Sequence, residues 1–307
     1  MYSGTPALSN NDVYGNTSYN YSGISAGTGD ISADPLFANR DAGDYHLPPT
    51  SPCIDTGTNT GAPTTDFDGA IRPQDGDGDG TATCDIGAYE FPLAPGSARK
   101  DYADGVSLAF GCASVTARFP SVGCVYVENL DRNSGVRVDT AETLTENALV
   151  NVQGTMQTDL TTGERYVQAL STWPKPTGGQ KTLQALALLG RSVGGAETGL
   201  QSGVWDKRWV MESGTPQYVW AQAIGLNNIG LLVTVFGKVT FAGADYFYLD
   251  DGSKLDDASG HFGVKVSAPG LAFPSSGYAK VTGVVSCSKT GDDFCRLIRA
   301  IEVVPIP

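Results

Sequence analysis

The sequence predicts an all-β protein, and three observations carry that expectation. Helical periodicity is nearly absent, and apolar residues instead alternate in short runs. Clusters of Gly, Asn, Asp and Pro separate those runs. The chain holds 39 Gly and 17 Pro in 307 residues, the turn-former density of a many-stranded protein. Gln180–Leu189 is the best helix candidate, and its leucines fit alternation as well. At 40% hydrophobic and 17% charged, the chain is too apolar for wholesale disorder and long enough for two or three domains. No apolar run approaches the ~18 residues of a membrane helix, so no membrane insertion is expected of this chain.

The formal charge of −13 is unevenly spread. Residues 1–95 carry 13 acidic and 2 basic side chains, and the remainder carries 20 and 18. The composition changes in Phe91-Pro-Leu-Ala-Pro-Gly-Ser, which marks a domain boundary. The acidic front repels nucleic acid and anionic membranes unless cations neutralise it, and Ca²⁺ is the natural candidate; solubility is the plain alternative. The opening Met1-Tyr-Ser-Gly-Thr-Pro lacks the basic and apolar regions of a signal peptide, so an exported form would carry its leader upstream.

Six cysteines fall into three sequence-local pairs: Cys53/Cys84, Cys112/Cys124 and Cys287/Cys295. The last two lie symmetrically about Gly291, across a hairpin turn. No Cys-x-x-Cys occurs and there are only two histidines, His46 and His261, which argues against zinc. Oxidised pairs would imply an extracytoplasmic compartment; the alternative is six buried free thiols.

Residues 5–15, Thr-Pro-Ala-Leu-Ser-Asn-Asn-Asp-Val-Tyr-Gly, place Leu8 and Val13 inward around an Asn pair, as a β-solenoid coil requires. Five further blocks extend the pattern: Ile31-Ser-Ala-Asp-Pro-Leu-Phe, Gly43-Asp-Tyr-His-Leu, Ser51-Pro-Cys-Ile-Asp-Thr-Gly, Asp66-Phe-Asp-Gly-Ala-Ile-Arg-Pro and Asp85-Ile-Gly-Ala-Tyr-Glu-Phe. In that order they resemble the end of bacterial right-handed parallel β-helix proteins of the pectin-lyase-like, choice-of-anchor Q type. The resemblance covers residues 1–91 and implies a secreted or surface-anchored protein. Cys53 and Cys84 replace residues that are small or apolar in that family, and this joint departure supports a bond between them.

Residues 106–170 and 231–304 read as two copies of one unit. Phe119-Pro-Ser-Val-Gly-Cys-Val-Tyr-Val-Glu-Asn echoes Phe241-Ala-Gly-Ala-Asp-Tyr-Phe-Tyr-Leu-Asp-Asp, and Leu149-Val-Asn-Val-Gln-Gly-Thr-Met echoes Tyr278-Ala-Lys-Val-Thr-Gly-Val-Val. Five strands per copy, with Gly154 or Gly283 in the fourth, match a small Greek-key barrel. This arrangement resembles the paired OB-like modules of secreted bacterial proteins. The expected architecture is therefore terminal coils of a right-handed parallel β-helix plus two tandem OB-like β-barrels. Its segments are a β-helix end with an acidic loop at 1–92, barrel one at 93–173, a Trp-containing linker at 174–228 and barrel two at 229–307.

All four tryptophans, Trp173, Trp205, Trp209 and Trp220, lie between the repeats or at their edge. Val204-Trp-Asp-Lys-Arg-Trp-Val-Met reads as a strand with Trp205 and Trp209 on one face, suited to stacking on sugar rings, docking a subunit or packing on a barrel. Asp75-Gly-Asp-Gly-Asp-Gly-Thr-Ala-Thr-Cys-Asp resembles the first half of a calcium loop. Its candidate ligands for a structural Ca²⁺ are Asp75, Asp77, Asp79, Thr81 and Asp85, with Asp66 or Asp68 in reserve; a simple acidic turn is the alternative. No hydrolase, phosphate-loop or metalloprotease motif is present, and Asp66/Asp68 or Asp250/Asp251 are carboxylate pairs of a kind common at pI ≈ 4.5. Near-neutral barrels beside an acidic neighbour speak against nucleic-acid binding. The expectation is a non-catalytic, secreted, structural or adhesive cell-surface protein that assembles with copies of itself by strand addition. The alternative is a carbohydrate-binding accessory region of a β-helix polysaccharide lyase or glycoside hydrolase, with surface polysaccharide as partner.

Overall fold

The computed structural model describes residues 6–48, 50–67, 72–77, 81–91, 100–174, 180–291 and 293–307, with Ser107, Cys112, Ser171, Trp173, Pro174, Arg208, Trp209, Val210, Glu212, Pro216 and Tyr218 described by their backbone alone. The chain divides into two compact units: an N-terminal one of residues 1–94 with 109–112, and a C-terminal one of the rest.

The C-terminal unit begins with a closed five-stranded barrel. Its strands are β1 (Ser107–Phe119), β2 (Cys124–Asn129), β3 (Gly135–Asp139), β4 (Leu149–Thr158) and β5 (Arg165–Pro174), in the order β1-β2-β3-β5-β4. β3 and β5 pair in parallel, whereas β1–β2, β2–β3 and β4–β5 are antiparallel. Alternation in the sequence aims one face of each strand inward. Val115, Val127, Val138, Val152, Met156 and Val167 have no exposed surface, and each such side chain contributes about 1.5–3 kcal/mol by leaving water.

A second sheet repeats this connectivity. It contains β6 (Leu186–Ala187), β9 (Leu232–Ala242), β10 (Tyr246–Asp250), β11 (Val264–Ser267), β12 (Tyr278–Thr290) and β13 (Asp293–Ile306), in the order β10-β11-β13-β12-β9-β6. β10 also pairs with β9, so the sheet curls back on itself, and β11 and β13 are parallel as β3 and β5 are. A bulge falls at Gly154 in β4 and at Gly283 in β12. A side-chain carbon there would sit 2.3 Å from the carbonyl oxygen of Gln168 or Arg299 respectively. Between the two halves, β7 (Trp205–Glu212) and β8 (Thr215–Gln222) form a separate antiparallel ribbon. The Gln180–Leu189 segment is not helical; alternation wins over the helical pattern, and Leu186–Ala187 adds to the edge of β9.

The two halves meet across an apolar seam of Ala117, Cys124 and Tyr126 against Leu232 and Val284. Two polar clamps flank it. Glu164 is wholly buried and accepts from the Tyr126 hydroxyl at 2.8 and 3.0 Å and from Ser286 Oγ at 2.8 Å, with Arg299 at 3.9 Å. Glu128, also wholly buried, accepts from the Leu232 amide and from Arg132 Nε at 2.7 Å, while Arg132 Nη2 donates to the Leu232 carbonyl at 2.9 Å. Beside them, Gly135 and Gly230 touch backbone to backbone. A Cβ on Gly230, whose φ is +95°, would lie 2.4 Å from the Gly135 oxygen.

The parallel β-helix expected for residues 1–92 is not formed. Among the described residues of that segment there is no strand, only isolated bridges: Ser9↔Thr28 and Asp12↔Ile31 parallel, Asn39↔Asp44 and Gln74↔Thr83 antiparallel. Side chains take the place of ladders. Asp30 accepts from the amides of Asn11 (2.8 Å) and Gly27 (2.7 Å) and from the Tyr21 hydroxyl (3.0 Å), and Asn10 Nδ2 donates to the Gly57 carbonyl at 3.0 Å. Such short Asn and Asp bonds offer the backbone an alternative to a sheet.

The expected cystines are absent as well. Cys53, Cys84, Cys124, Cys287 and Cys295 are buried free thiols. In the β12–β13 hairpin Cys287 faces Arg296 and Cys295 faces Ser288, so a one-residue offset sends the two sulfurs to opposite faces. Cys124 pairs with Phe119, seven positions along β1 from Cys112, beyond the ~7 Å that a cystine spans. Cys53 Sγ donates to Asp12 Oδ2 at 3.4 Å; its carbonyl is matched to Ile86, and that of Cys84 to Gly57. Burial pushes Cys53 up to about 12 and Cys124 and Cys295 up to about 11.

Two predictions follow from this architecture. Gly230→Ala forces strained backbone into Gly135 and lowers stability by about 1–3 kcal/mol in denaturant titration, whereas Gly214→Ala, also at positive φ but with open space around it, costs less. Thiol titration without reductant gives slow reaction in the native protein and release of at least five thiols in denaturant; fewer would mean cystines.

Candidate functional site

In the N-terminal unit, carboxylates organise the chain from residue 55 to 91. Asp85 is buried and accepts from the amides of Asp55 (2.8 Å) and Phe91 (2.6 Å). Glu90, also buried, accepts from the amides of Asp85 (3.0 Å) and Gln74 (2.9 Å) and pairs with Arg72 Nε at 3.3 Å. Asp66 Oδ2 in turn accepts from the Glu90 amide at 3.0 Å. Each carboxylate thereby fixes the backbone of the next.

This network gathers an oxygen-rich cluster. Carboxylate oxygens of Asp55, Asp75 and Asp77 lie within 4.8 Å of one another, all three residues half-buried. Asp55 reaches them because it adopts left-handed backbone (φ 53°) and accepts from the amides of Asp77 (2.5 Å) and Thr83 (3.3 Å). Of the ligands expected from the sequence, Asp75 and Asp77 come together; Thr81 is exposed, and Asp79 and Asp68 lie outside the described residues. Asp85 is not in the cluster, because both its oxygens are committed to backbone amides. Asp55, which the sequence reading passed over as a ligand, takes its place. Its signal was an acidic residue before Thr-Gly, the start of a turn, 20 residues upstream of Asp75.

Burial shapes the electrostatics here. Asp55 is pushed up to about 6, chiefly by desolvation, with the Asp77 and Asp75 charges adding to it and its amide bonds opposing. Asp85 is pushed up to about 7, again chiefly by desolvation, with Glu90 and Asp55 adding. Three hard oxygen donors of this kind suit Ca²⁺.

The second candidate lies on the ribbon. β7 and β8 pair Trp205 with Gln222, Lys207 with Trp220 and Trp209 with Tyr218. Trp205 and Trp220 are half-buried, and Lys207 Nζ lies 5.8 Å from the Trp220 ring centre. The ribbon is tied down by Asp206, whose Oδ2 meets Arg296 Nη1 at 2.5 Å with both side chains buried, and by the Lys207 amide donating to the Asp256 carbonyl at 2.8 Å. The two histidines are packed: His46 lies 2.5 Å from Asp44 and over Tyr89, and His261 stacks on Phe241 with ring centres 3.7 Å apart.

Comparison with known proteins bears on the N-terminal unit alone. Residues 4–64 match a family described as disaggregatase related. That is about a fifth of the chain, and it is a different family from the pectin-lyase-like one that the sequence blocks resemble. The matched stretch includes Asp55 and stops before Asp75 and Asp77. No curated protein and no solved structure matches.

The raised carboxyls set a pH dependence. Asp55 and Asp85 bind a proton more tightly in the folded unit than in an unfolded chain, where Asp titrates near ~3.9. Their contribution to stability is therefore full below about pH 4 and is lost as pH rises through about 6 and 7. In chelator, the melting temperature of the N-terminal unit should fall over that range, and Asp85→Asn should flatten the fall. A rise with pH would contradict the assignment.

Proposed function

We propose that the protein is a non-catalytic structural and adhesive protein of the cell exterior, built on two OB-type barrels and steadied by Ca²⁺ at Asp55, Asp75 and Asp77. The observation that carries this reading is where the buried ionisable groups are used. Glu164 and Glu128 join the two barrel halves, and Asp85 and Glu90 hold backbone amides. Acid–base catalysis asks for such groups within reach of a substrate; here each closes on protein partners. The strand order with its parallel third and fifth members supports the OB-type reading of both halves.

Self-association by strand addition finds support in the β7–β8 ribbon. It consists of two strands of 8 residues; β7 is partly covered where the Lys207 amide meets the Asp256 carbonyl, whereas the outer edge of β8 pairs with no further strand among the described residues. A second reading, polysaccharide binding, is favoured by the ribbon's aromatic content, since Trp205 and Trp220 keep part of their surface in solvent.

Two measurements separate the readings. Sedimentation at rising protein concentration with Ca²⁺ should show chains of increasing length, absent in chelator. Affinity electrophoresis on microbial and plant polysaccharides supports the second reading instead if the protein is retarded and Trp205→Ala weakens retention about tenfold. Monomers that bind no polysaccharide would exclude both.

A further inference from the structure

The C-terminal unit contains a cleft of about 910 Å³ between the ribbon and the second sheet. Three cations reach it from separate elements: Arg191 from the turn at 190–192, Lys207 from β7, and Lys254 from the β10–β11 connection. Ile224, Leu255 and Phe262 supply its apolar surface. Ile224 is 82% exposed and Phe262 44%, so this apolar rim is open to a visitor rather than closed by the chain.

Two carboxylates, Asp206 and Asp250, also line the cleft, and Asp251 lies next in sequence. Asp206 is ion-paired with buried Arg296. Asp250 Oδ1 accepts from the amides of Gly252 (3.1 Å) and Lys254 (2.9 Å), and Asp251 accepts from those of Gly190 (2.7 Å) and Ser253 (3.0 Å). By contrast, Arg191, Lys207 and Lys254 make no ion pair among the described residues. Three cations without a carboxylate partner thus line one cleft, Lys207 having only the Trp220 ring, 5.8 Å from its Nζ. Ammonium and guanidinium groups supply donors only, so the complement they lack is an anion.

We infer that this cleft binds a small organic anion, in which a carboxylate, sulfate or phosphate group is carried on an apolar ring or short chain. The headgroup lies among Arg191, Lys207 and Lys254, and the apolar body covers Ile224, Leu255 and Phe262. The site is independent of the acidic cluster at Asp55 and of ribbon-edge assembly, so it stands or falls apart from the function proposed above.

Isothermal titration with phenyl phosphate, using the full chain, tests it. Binding by the native protein is expected, with inorganic phosphate at least about tenfold weaker for want of the ring, and with phenol not detectably bound. The double variant Arg191→Gln/Lys254→Gln changes two exposed side chains and should melt as the native protein does, yet bind phenyl phosphate at least about tenfold more weakly. Lys254→Arg keeps the charge and should stay within about twofold of native. Absence of phenyl phosphate binding, equal affinity for phenol, or unchanged affinity in the double variant would each overturn the assignment. Inorganic phosphate binding as tightly as phenyl phosphate would overturn the apolar half of it.

Discussion

The carboxylate of Glu164 is the constraint on which the C-terminal unit depends. It comes from the first residue before β5 and is wholly buried, yet two of its three nearest partners, Ser286 and Arg299, belong to β12 and β13 of the other half. Burial raises its proton affinity, with Arg299 and the Tyr126 and Ser286 hydroxyls opposing that rise. A buried carboxylate is tolerable only while such partners hold, and removing one leaves a penalty of about 3–5 kcal/mol. The two halves are therefore held together, because separation would leave this group with Tyr126 alone. The close approach of Gly135 and Gly230 and the seam around Tyr126 then follow as packing at a junction already fixed by polar geometry. Such a junction is sensitive to shape as well as polarity, since interiors pack like solids and give little at any one contact.

The N-terminal unit solves a different problem with the same chemistry. Its apolar core is small, made of Leu47, Cys53, Ile54 and Phe91 with partly buried neighbours, and its described residues up to Phe91 form no strand to carry a ladder. Backbone amides that would pair within a sheet instead find Asp12, Asp30, Asp55, Asp66, Asp85 and Glu90. Charge that reads in the sequence as an acidic surface is thus largely an internal supply of hydrogen-bond acceptors. The cost is desolvation first and mutual repulsion second, and both show in the raised proton affinity of Asp55 and Asp85. Protonation or a bound cation relieves that repulsion, and the cluster of Asp55, Asp75 and Asp77 is where a divalent ion would relieve most of it.

How much was legible in the sequence varies with the range of the interactions concerned. The all-β class and a five-stranded barrel were legible, because alternation and turn spacing are local and each valine of β3 or β4 declares its own face. Side-chain pairing was not. The Cys287/Cys295 spacing is symmetric about Gly291, but the hairpin closes between Thr290 and Asp293, half a residue further on, and that shift alone turns the sulfurs apart. Residues 5–15 read as a solenoid coil because an Asn pair suits tight bends, and the blocks from Ile31 to Phe91 through their likeness to a family; Asn and Asp residues such as Asn11 and Asp30 instead bond one another and the backbone directly and leave isolated bridges. The Asp75–Asp77 half of the acidic cluster stood in a recognisable string, whereas Asp55 joins it only through the fold. With free thiols in place of cystines, the argument for an oxidising compartment no longer rests on cysteine.

Glu164 apart, whose partners are all side chains, the buried charges share a role in fixing backbone segments. Glu128 caps the entry to β9 through the Leu232 amide, and Asp206 with Arg296 anchors a ribbon that has only two strands. Asp85 joins residue 55 to residue 91. In a chain with 39 glycines, where the backbone is costly to order, this is a physical reason to bury charge at all. Directional bonds to named amides select one conformation among many that apolar burial alone would leave nearly equal. The three cations around the β7 cleft stand outside that pattern. Their side chains make no ion pair among the described residues, Lys207 having only the Trp220 ring, and the anion inferred for the cleft would supply one.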